Sequence, residues 1–154
     1  MNHASHPAQP GTTRLALDAT RHCLTGCAIG EVVGLLISGA LHFTIEASIV
    51  AGIALAFVFG YSFTFVPLLR GGMALAKALG VTLAADTISI VVMEAVDNLV
   101  VLLVPGAMAA GLDDPLFWGS LAVGLVIAFA AAFPVNRWLI ARGRGHALAH
   151  GEHG

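Results

Sequence analysis

Sulfur, imidazole and carboxyl groups occur together in the segment RHCLTGCAIGE, residues 21–31. Cys23 and Cys27 are separated by one helical turn, so the two thiols share a face if the segment is helical. Thiolate and imidazole groups bind soft or borderline ions such as Cu(I) and Zn(II), and His22 supplies the imidazole. Met93, later in the chain, would add the thioether sulfur that copper favours. The sequence therefore predicts a copper or zinc site formed by these four residues.

A second set of polar side chains lies within otherwise apolar stretches of the sequence. Its members are Glu31, Asp86, Glu94, Asp97 and Asn98. A carboxylate inside a hydrocarbon layer costs several kcal/mol unless it is paired, protonated or hydrated. Since no Lys or Arg occurs in the middle of these stretches, the acids have to be protonated, share protons or bind a cation. We therefore predict an acidic relay within the membrane.

The composition explains why a membrane is expected. Of the 154 residues, 58% are hydrophobic and 10% are charged, and the mean hydropathy is +0.89. Soluble domains carry about 25% charged residues, so this chain has too few charges to cover a water-facing surface. The expected partner is a lipid bilayer. Nucleic acid is excluded as a partner because the sequence has no basic patch with interleaved aromatic residues.

Four apolar stretches are long enough to cross a ~30 Å hydrocarbon layer, which takes roughly 20 helical residues. They cover residues 23–42, 47–69, 82–104 and 116–140. We expect an all-α membrane protein with four transmembrane helices in residues 21–141. Flexible tails are expected at residues 1–20 and 142–154, and the second tail is rich in histidine.

The basic residues orient these four spans. All seven Lys and Arg residues fall on the same side of a four-span arrangement, whereas three spans would divide them between the two sides. They are Arg14, Arg21, Arg70, Lys77, Arg137, Arg142 and Arg144. The charged residues in the loops on the opposite side are all acids, namely Glu46, Asp113 and Asp114. Because positive charge is retained inside, both termini are expected in the cytoplasm.

Small residues in the first span predict where its polar face points. Gly26, Gly30 and Gly34 form a series at four-residue spacing next to the face that carries Cys27 and Glu31. Such a series allows another helix to approach closely. The polar face is therefore expected to contact protein rather than lipid, either within one bundle or in a homo-oligomer.

The spacing of the acids predicts their depth. Glu31 follows Cys23 by eight residues, and Glu94 follows Asp86 by eight. At ~1.5 Å per residue, each step moves roughly 12 Å deeper along spans that run in the same direction. We expect Glu31, Glu94 and Asp97 near one level close to the midplane, with Cys23 and Asp86 near the cytoplasmic mouth.

The motifs HCLTGCAIGEVVG and MEAVDN together resemble a family of small bacterial integral membrane proteins that is catalogued as a domain of unknown function. The likeness covers about residues 20–141. It implies a multi-pass protein of the bacterial inner membrane but no particular activity. It also implies a membrane core built around His22, Cys23, Cys27, Gly30, Glu31, Met93, Glu94, Asp97 and Asn98.

Three functions fit these features. The first is binding or transport of a transition metal, with copper preferred to zinc. The second is a carrier that couples a small solute to protons or another cation, with the acids as the relay. The third is an accessory or assembly subunit that uses the polar face for docking. An enzyme is not expected, and no organic cofactor is indicated, because the sequence has no P-loop, GxSxG elbow or HExxH helix.

The predicted topology can be tested with reporters fused after Gly154. Green fluorescent protein should fluoresce at this position, and alkaline phosphatase should be inactive, because both termini are expected in the cytoplasm. An active phosphatase together with a dark fluorescent protein would contradict the four-span arrangement.

Overall fold

Four long helices form the part of the chain described by a computed structural model, residues 11–142. The elements are α1 (Thr12–Leu41), α2 (Ile45–Arg70), α3 (Leu75–Leu103), a 3₁₀ helix at Ala107–Ala109, and α4 (Pro115–Ala141). Each long helix is sufficiently long and apolar to cross a membrane, and residues 11–142 contain no strand. The predicted all-α fold with four membrane-spanning helices is confirmed, and the chain is a multi-pass membrane protein.

The helices pack as a bundle in which α1 and α3 each contact both α2 and α4. α1 and α3 meet each other across the interior. Short connections with local caps join the antiparallel neighbours. The Thr44 hydroxyl accepts a hydrogen bond from the Ala47 amide at 3.3 Å at the start of α2. Asp114 accepts one from the Leu116 amide at 2.8 Å at the start of α4. These caps satisfy backbone donors that the first helical turn leaves without partners.

The tightest contact in the bundle joins α1 to α2 through small residues. It is formed by Gly26, Gly30 and Gly34 of α1 with Gly60, Ala56 and Gly52 of α2. A Cβ atom added to Gly30 would overlap the backbone of Ala56. The two backbones therefore touch, and this fixes the polar face of α1 toward the bundle interior.

The start of α1 differs from the sequence prediction. Residues 12–20 were expected in a flexible tail, but they form the first turns of α1. Ala16 is fully buried and packs in one cluster with Ile140 at the end of α4. This contact gives the segment an apolar surface to fold against, so the tail boundary at residue 20 is corrected. Residues 1–10 and 143–154, which hold the rest of both predicted tails, lie outside the described residues.

The helices also extend beyond the predicted apolar spans. α3 begins at Leu75 rather than at residue 82, because the segment between them is rich in Ala and Leu, which favour helix. The 30 residues of α1 reach about 45 Å at 1.5 Å per residue, which exceeds the ~30 Å of hydrocarbon. The polar ends of these helices thus project past the apolar layer.

Candidate functional site

A polar column runs through the bundle interior where α1 faces α3. It consists of Cys23, Cys27 and Glu31 of α1 together with Asp86, Glu94 and Asp97 of α3. The α1 members recur every four positions, and the α3 members follow at intervals of eight and three, so each set occupies one helix face. The side chains pair in the same order along both helices, which shows that α1 and α3 run in the same direction.

The column begins with a thiol paired to a carboxyl group. The Cys23 thiol donates to Asp86 Oδ1 at 3.9 Å. Both side chains are almost fully buried, with 1% and 0% of their surface exposed. Thr64 of α2 also interacts with Asp86. Three helices, α1, α2 and α3, thus close this level. Cys23 and Asp86, which the sequence predicts at one depth, lie together.

Further along the column, three acids come together. The Cys27 thiol faces the Glu94 carboxyl group. One turn beyond it, the Glu31 carboxyl group faces that of Asp97. Glu94 lies close to both. The acids expected at one level therefore converge from two helices that are far apart in the sequence.

These acids have no basic partner in the described part of the chain. Glu94 and Asp97 are 4% and 3% exposed, and none of their four carboxyl oxygens accepts a hydrogen bond within residues 11–142. All Lys and Arg residues in that range are exposed. Neighbouring carboxyl groups repel when both are ionised, and burial penalises the charged form. The arrangement therefore favours shared protons or a bound cation.

Gly124 of α4 provides the space in which the Asp97 carboxyl group lies. A Cβ atom on Gly124 would collide with Asp97 Oδ1 and would lie 2.9 Å from its carboxyl carbon. Sequence reasoning did not identify Gly124, although it belongs to a series of small or polar residues at four-residue spacing in α4. The structure buries the whole series: Ser120, Gly124, Ala128, Ala132 and Asn136. Small residues at this spacing let α3 and α1 approach α4 closely.

Asn136 was also missed, and it links three helices near the Cys23 end of the column. Its Nδ2 donates to Thr20 Oγ1 at 2.9 Å and to Ser89 Oγ at 3.0 Å. Thr20 in turn donates to the Ala16 carbonyl oxygen at 2.7 Å. All three linked side chains are buried. The network joins α1, α3 and α4 and closes this half of the bundle.

The structure separates one of the four predicted metal ligands from the other three. Cys23, Cys27 and Met93 are buried in one cluster, but His22 lies on the exposed face of α1. The His22 ring stacks on Phe63 with a centroid separation of 6.4 Å. Adjacent helical residues point about 100° apart, so His22 turns away when Cys23 turns inward. Among the described residues, no three His, Cys, Asp or Glu side chains form a group that could hold a metal ion.

Two open clefts lie at the end of the bundle opposite Cys23. One, of about 100 Å³, reaches Glu31. The other, of about 250 Å³, lies between α2 and α3 and is lined mostly by apolar side chains and by part of Glu94, whose carboxyl oxygens are buried. Asn98 lines both clefts, and its Nδ2 donates to the Glu94 carbonyl oxygen at 2.9 Å. Glu31 is reached from this end, whereas the carboxyl oxygens of Glu94 and Asp97 are buried and the thiol end is packed shut.

The fit between Asp97 and Gly124 predicts the effect of one added methyl group. Gly124→Ala should lower the free energy of unfolding in detergent by about 1–3 kcal/mol, the usual cost of overpacking, because the carboxyl group has to move. The same substitution in an Asp97→Ala background should cost much less, since the collision is removed.

Gly119→Ala is the matched control, because this exposed glycine of α4 has no neighbouring atom within 4 Å of an added Cβ. That substitution should be neutral or slightly stabilising in a helix. An equal cost for Gly124→Ala in both Asp97 backgrounds would show that the carboxyl group is not held against Gly124.

A comparison with protein families finds one family that matches the chain. Residues 13–145 match a family described as a domain of unknown function, DUF4396. No curated protein and no solved structure shows significant similarity to the chain. The match extends over all four helices and includes the whole polar column, and it agrees with the resemblance carried by the two sequence motifs. The chain belongs to the DUF4396 family.

Proposed function

We propose that the protein is a carrier in the bacterial inner membrane that couples the movement of a small solute to protons. The observation that carries the proposal is the meeting of Glu31 with Asp97, beside Glu94, inside a membrane-spanning bundle. Ionisable residues at such depth are expensive, and in membrane proteins they mark ion pathways and proton relays. Three acids that converge from two helices exceed what helix packing requires.

The coupling follows from the charge of the acids. With protons bound, the three carboxyl groups are neutral and are compatible with their apolar surroundings. A cation that arrives through a cleft favours the ionised carboxylate and releases a proton. The titratable groups that face this exchange are Cys27 and Glu31 on α1 and Glu94 and Asp97 on α3. One proton is exchanged for each positive charge, so no net charge is buried in either state.

The asymmetry of the bundle suits a carrier. Access is open at the end that holds the clefts. The opposite end is closed by the pair of Cys23 with Asp86 and by the Asn136 network. A carrier exposes its site to one side at a time, by moving one group of helices against another. In the predicted orientation, the open side faces away from the cytoplasm.

Transport of copper, or less readily zinc, is the second candidate. It is favoured by one observation, that both thiols lie in one buried cluster with the Met93 thioether. Soft ligands of this type select Cu(I). It ranks second because His22 is on the exposed face and because each thiol faces an acid rather than another soft ligand.

The carrier proposal is tested in inverted membrane vesicles whose acidified interior is followed with a pH-sensitive dye. Sodium, potassium, zinc, copper(I) and butylammonium are added in turn. We expect at least one of these cations to draw protons out of wild-type vesicles. Glu31→Gln and Asp97→Asn should abolish this response, because the amide that replaces each carboxyl group cannot release a proton. Passive entry of neutral butylamine is the same in all vesicles, so it cancels when wild-type and variant vesicles are compared.

Glu46→Gln is the matched control, since Glu46 is an exposed acid at the start of α2. It should respond like wild type. The absence of any Glu31-dependent response would overturn the proposal and favour an accessory subunit. A copper or zinc response that survives Glu31→Gln but is lost in the Cys23→Ser/Cys27→Ser variant would also overturn it, in favour of metal transport.

A further inference from the structure

The larger cleft is an apolar groove on the side of the bundle, between α2 and α3. Ile49 and Ile53 belong to the wall on α2. Ala95 and Leu102 belong to the wall on α3. Leu102 is 61% exposed, so the groove opens sideways to the surroundings of the bundle. Because α2 and α3 are both membrane-spanning helices, those surroundings are lipid.

The shape and polarity of this groove match a lipid acyl chain. Along α3 the lining runs from Ala95 to Leu102, which is about 10 Å at 1.5 Å per residue. The groove is thus elongated along the helices, in the direction that acyl chains follow across a leaflet. Its volume is about 250 Å³. In another protein, an apolar cavity of about 150 Å³ stays free of water and binds benzene. An apolar guest rather than water is therefore expected in the groove.

An exposed acid lies at the end of the same wall. Glu46, Ile49 and Ile53 follow one another at intervals of three and four residues, so they share one face of α2. Glu46 lies in the first turn of α2, about 10 Å along the helix from Ile53. The headgroup of a lipid whose chain lies in the groove would meet this carboxylate.

The charges at this end of the bundle favour one kind of headgroup. All Lys and Arg residues within residues 11–142 lie at the opposite end, and the acids at the surface here are Glu46, Asp113 and Asp114. Apart from the His42 imidazole, the described chain has no basic group at this end. A headgroup that carries only negative charge is disfavoured, whereas a primary ammonium group can donate charge-assisted hydrogen bonds to Glu46.

We propose that the groove between α2 and α3 binds a phospholipid with a primary ammonium headgroup, namely phosphatidylethanolamine. One acyl chain lies along Ile49 and Ile53, and the ammonium group lies at Glu46. The chain covers an apolar surface that the helices leave open, and the headgroup places positive charge beside the acid. This inference concerns a lipid partner and does not depend on whether the protein is a carrier.

Photo-crosslinking in lipid nanodiscs tests where the lipid lies. Phosphatidylethanolamine and phosphatidylglycerol, each with the same diazirine-bearing acyl chain, are used in turn, and the labelled residues are identified by mass spectrometry. Phosphatidylethanolamine should label Ile53 and Leu102 more strongly than Val126, which is 70% exposed on α4 and lines neither cleft. Phosphatidylglycerol should label the groove less, because its headgroup has no ammonium group for Glu46.

A charge substitution tests the headgroup. Glu46→Gln should lower the labelling of the groove by phosphatidylethanolamine about two- to fivefold, the effect expected for one exposed ion pair, and should leave the labelling by phosphatidylglycerol unchanged. Asp113→Asn is the matched control, because Asp113 is an exposed acid at the same end of the bundle but lies in the loop before α4. It should change the labelling by neither lipid.

A substitution in the wall tests the chain. Ala95→Phe should fill the groove and lower the labelling of Ile53 by both lipids. Ala95 is exposed, so the larger side chain should be tolerated in the fold. Ala122→Phe is the control, because Ala122 is an exposed alanine of α4 that lines neither cleft.

Labelling of Ile53 that is no stronger than that of Val126 would overturn the inference. If the protein were then a dimer in native mass spectrometry, the groove would be assigned to a second copy of the chain. Equal labelling of the groove by the two lipids, or labelling that does not change in Glu46→Gln, would also overturn it. None of these results bears on the carrier proposal, which the vesicle experiment tests separately.

Discussion

Three carboxyl side chains have to be held inside an apolar layer without a basic partner, and the arrangement of the helices depends on how this is done. Glu31, Glu94 and Asp97 lie together, so a proton on one carboxyl group can be shared with its neighbours. An acid buried alone would have to stay protonated with no carboxyl neighbour to share its proton, because no Lys or Arg among residues 11–142 is buried enough to pair with it. α1 and α3 must therefore face each other over the whole depth of the column, although no short connection joins them.

Small residues make that arrangement possible. Lipid tails are as apolar as most helix surfaces, so close packing replaces the hydrophobic effect as the source of helix association. α1 reaches backbone contact with α2 at Gly30 and Ala56. On the other side of the bundle, Gly124 leaves room for the Asp97 carboxyl group. The same small residues that hold the bundle together thus also shape the space around the acids.

The sequence predicts those features of the fold that depend on helical periodicity and on charge within one span. Four spans, and a common level for Glu31, Glu94 and Asp97, follow from helical geometry and from the cost of burying an acid. The start of α1 could not be predicted from hydropathy, because Ala16 is ordered by its contact with Ile140, at the far end of the sequence. Asn136 was missed because it lies next to Arg137, near the end of the last predicted span, where a polar residue is not unusual.

The placement of His22 shows a different limit of sequence reasoning. His22 and Cys23 are adjacent in sequence and both have ligand chemistry, but adjacent residues of a helix point in different directions. Which one turns inward is decided by the partner helices, and here Asp86 lies opposite the thiol. Composition suggested soft-metal ligands, whereas the packing gives each thiol an acidic neighbour.

If protons neutralise the buried acids, infrared spectroscopy of the carboxyl C=O stretch should detect the protonated groups. Exposed carboxyl groups are ionised at neutral pH, so they contribute no protonated band. We expect wild-type protein in lipid nanodiscs to show a protonated-carboxyl band at neutral pH, which weakens in Glu31→Gln and in Asp97→Asn but not in Glu46→Gln. A wild-type spectrum without a protonated-carboxyl band, or a band that is unchanged in both of the buried variants, would show that protons do not neutralise these acids.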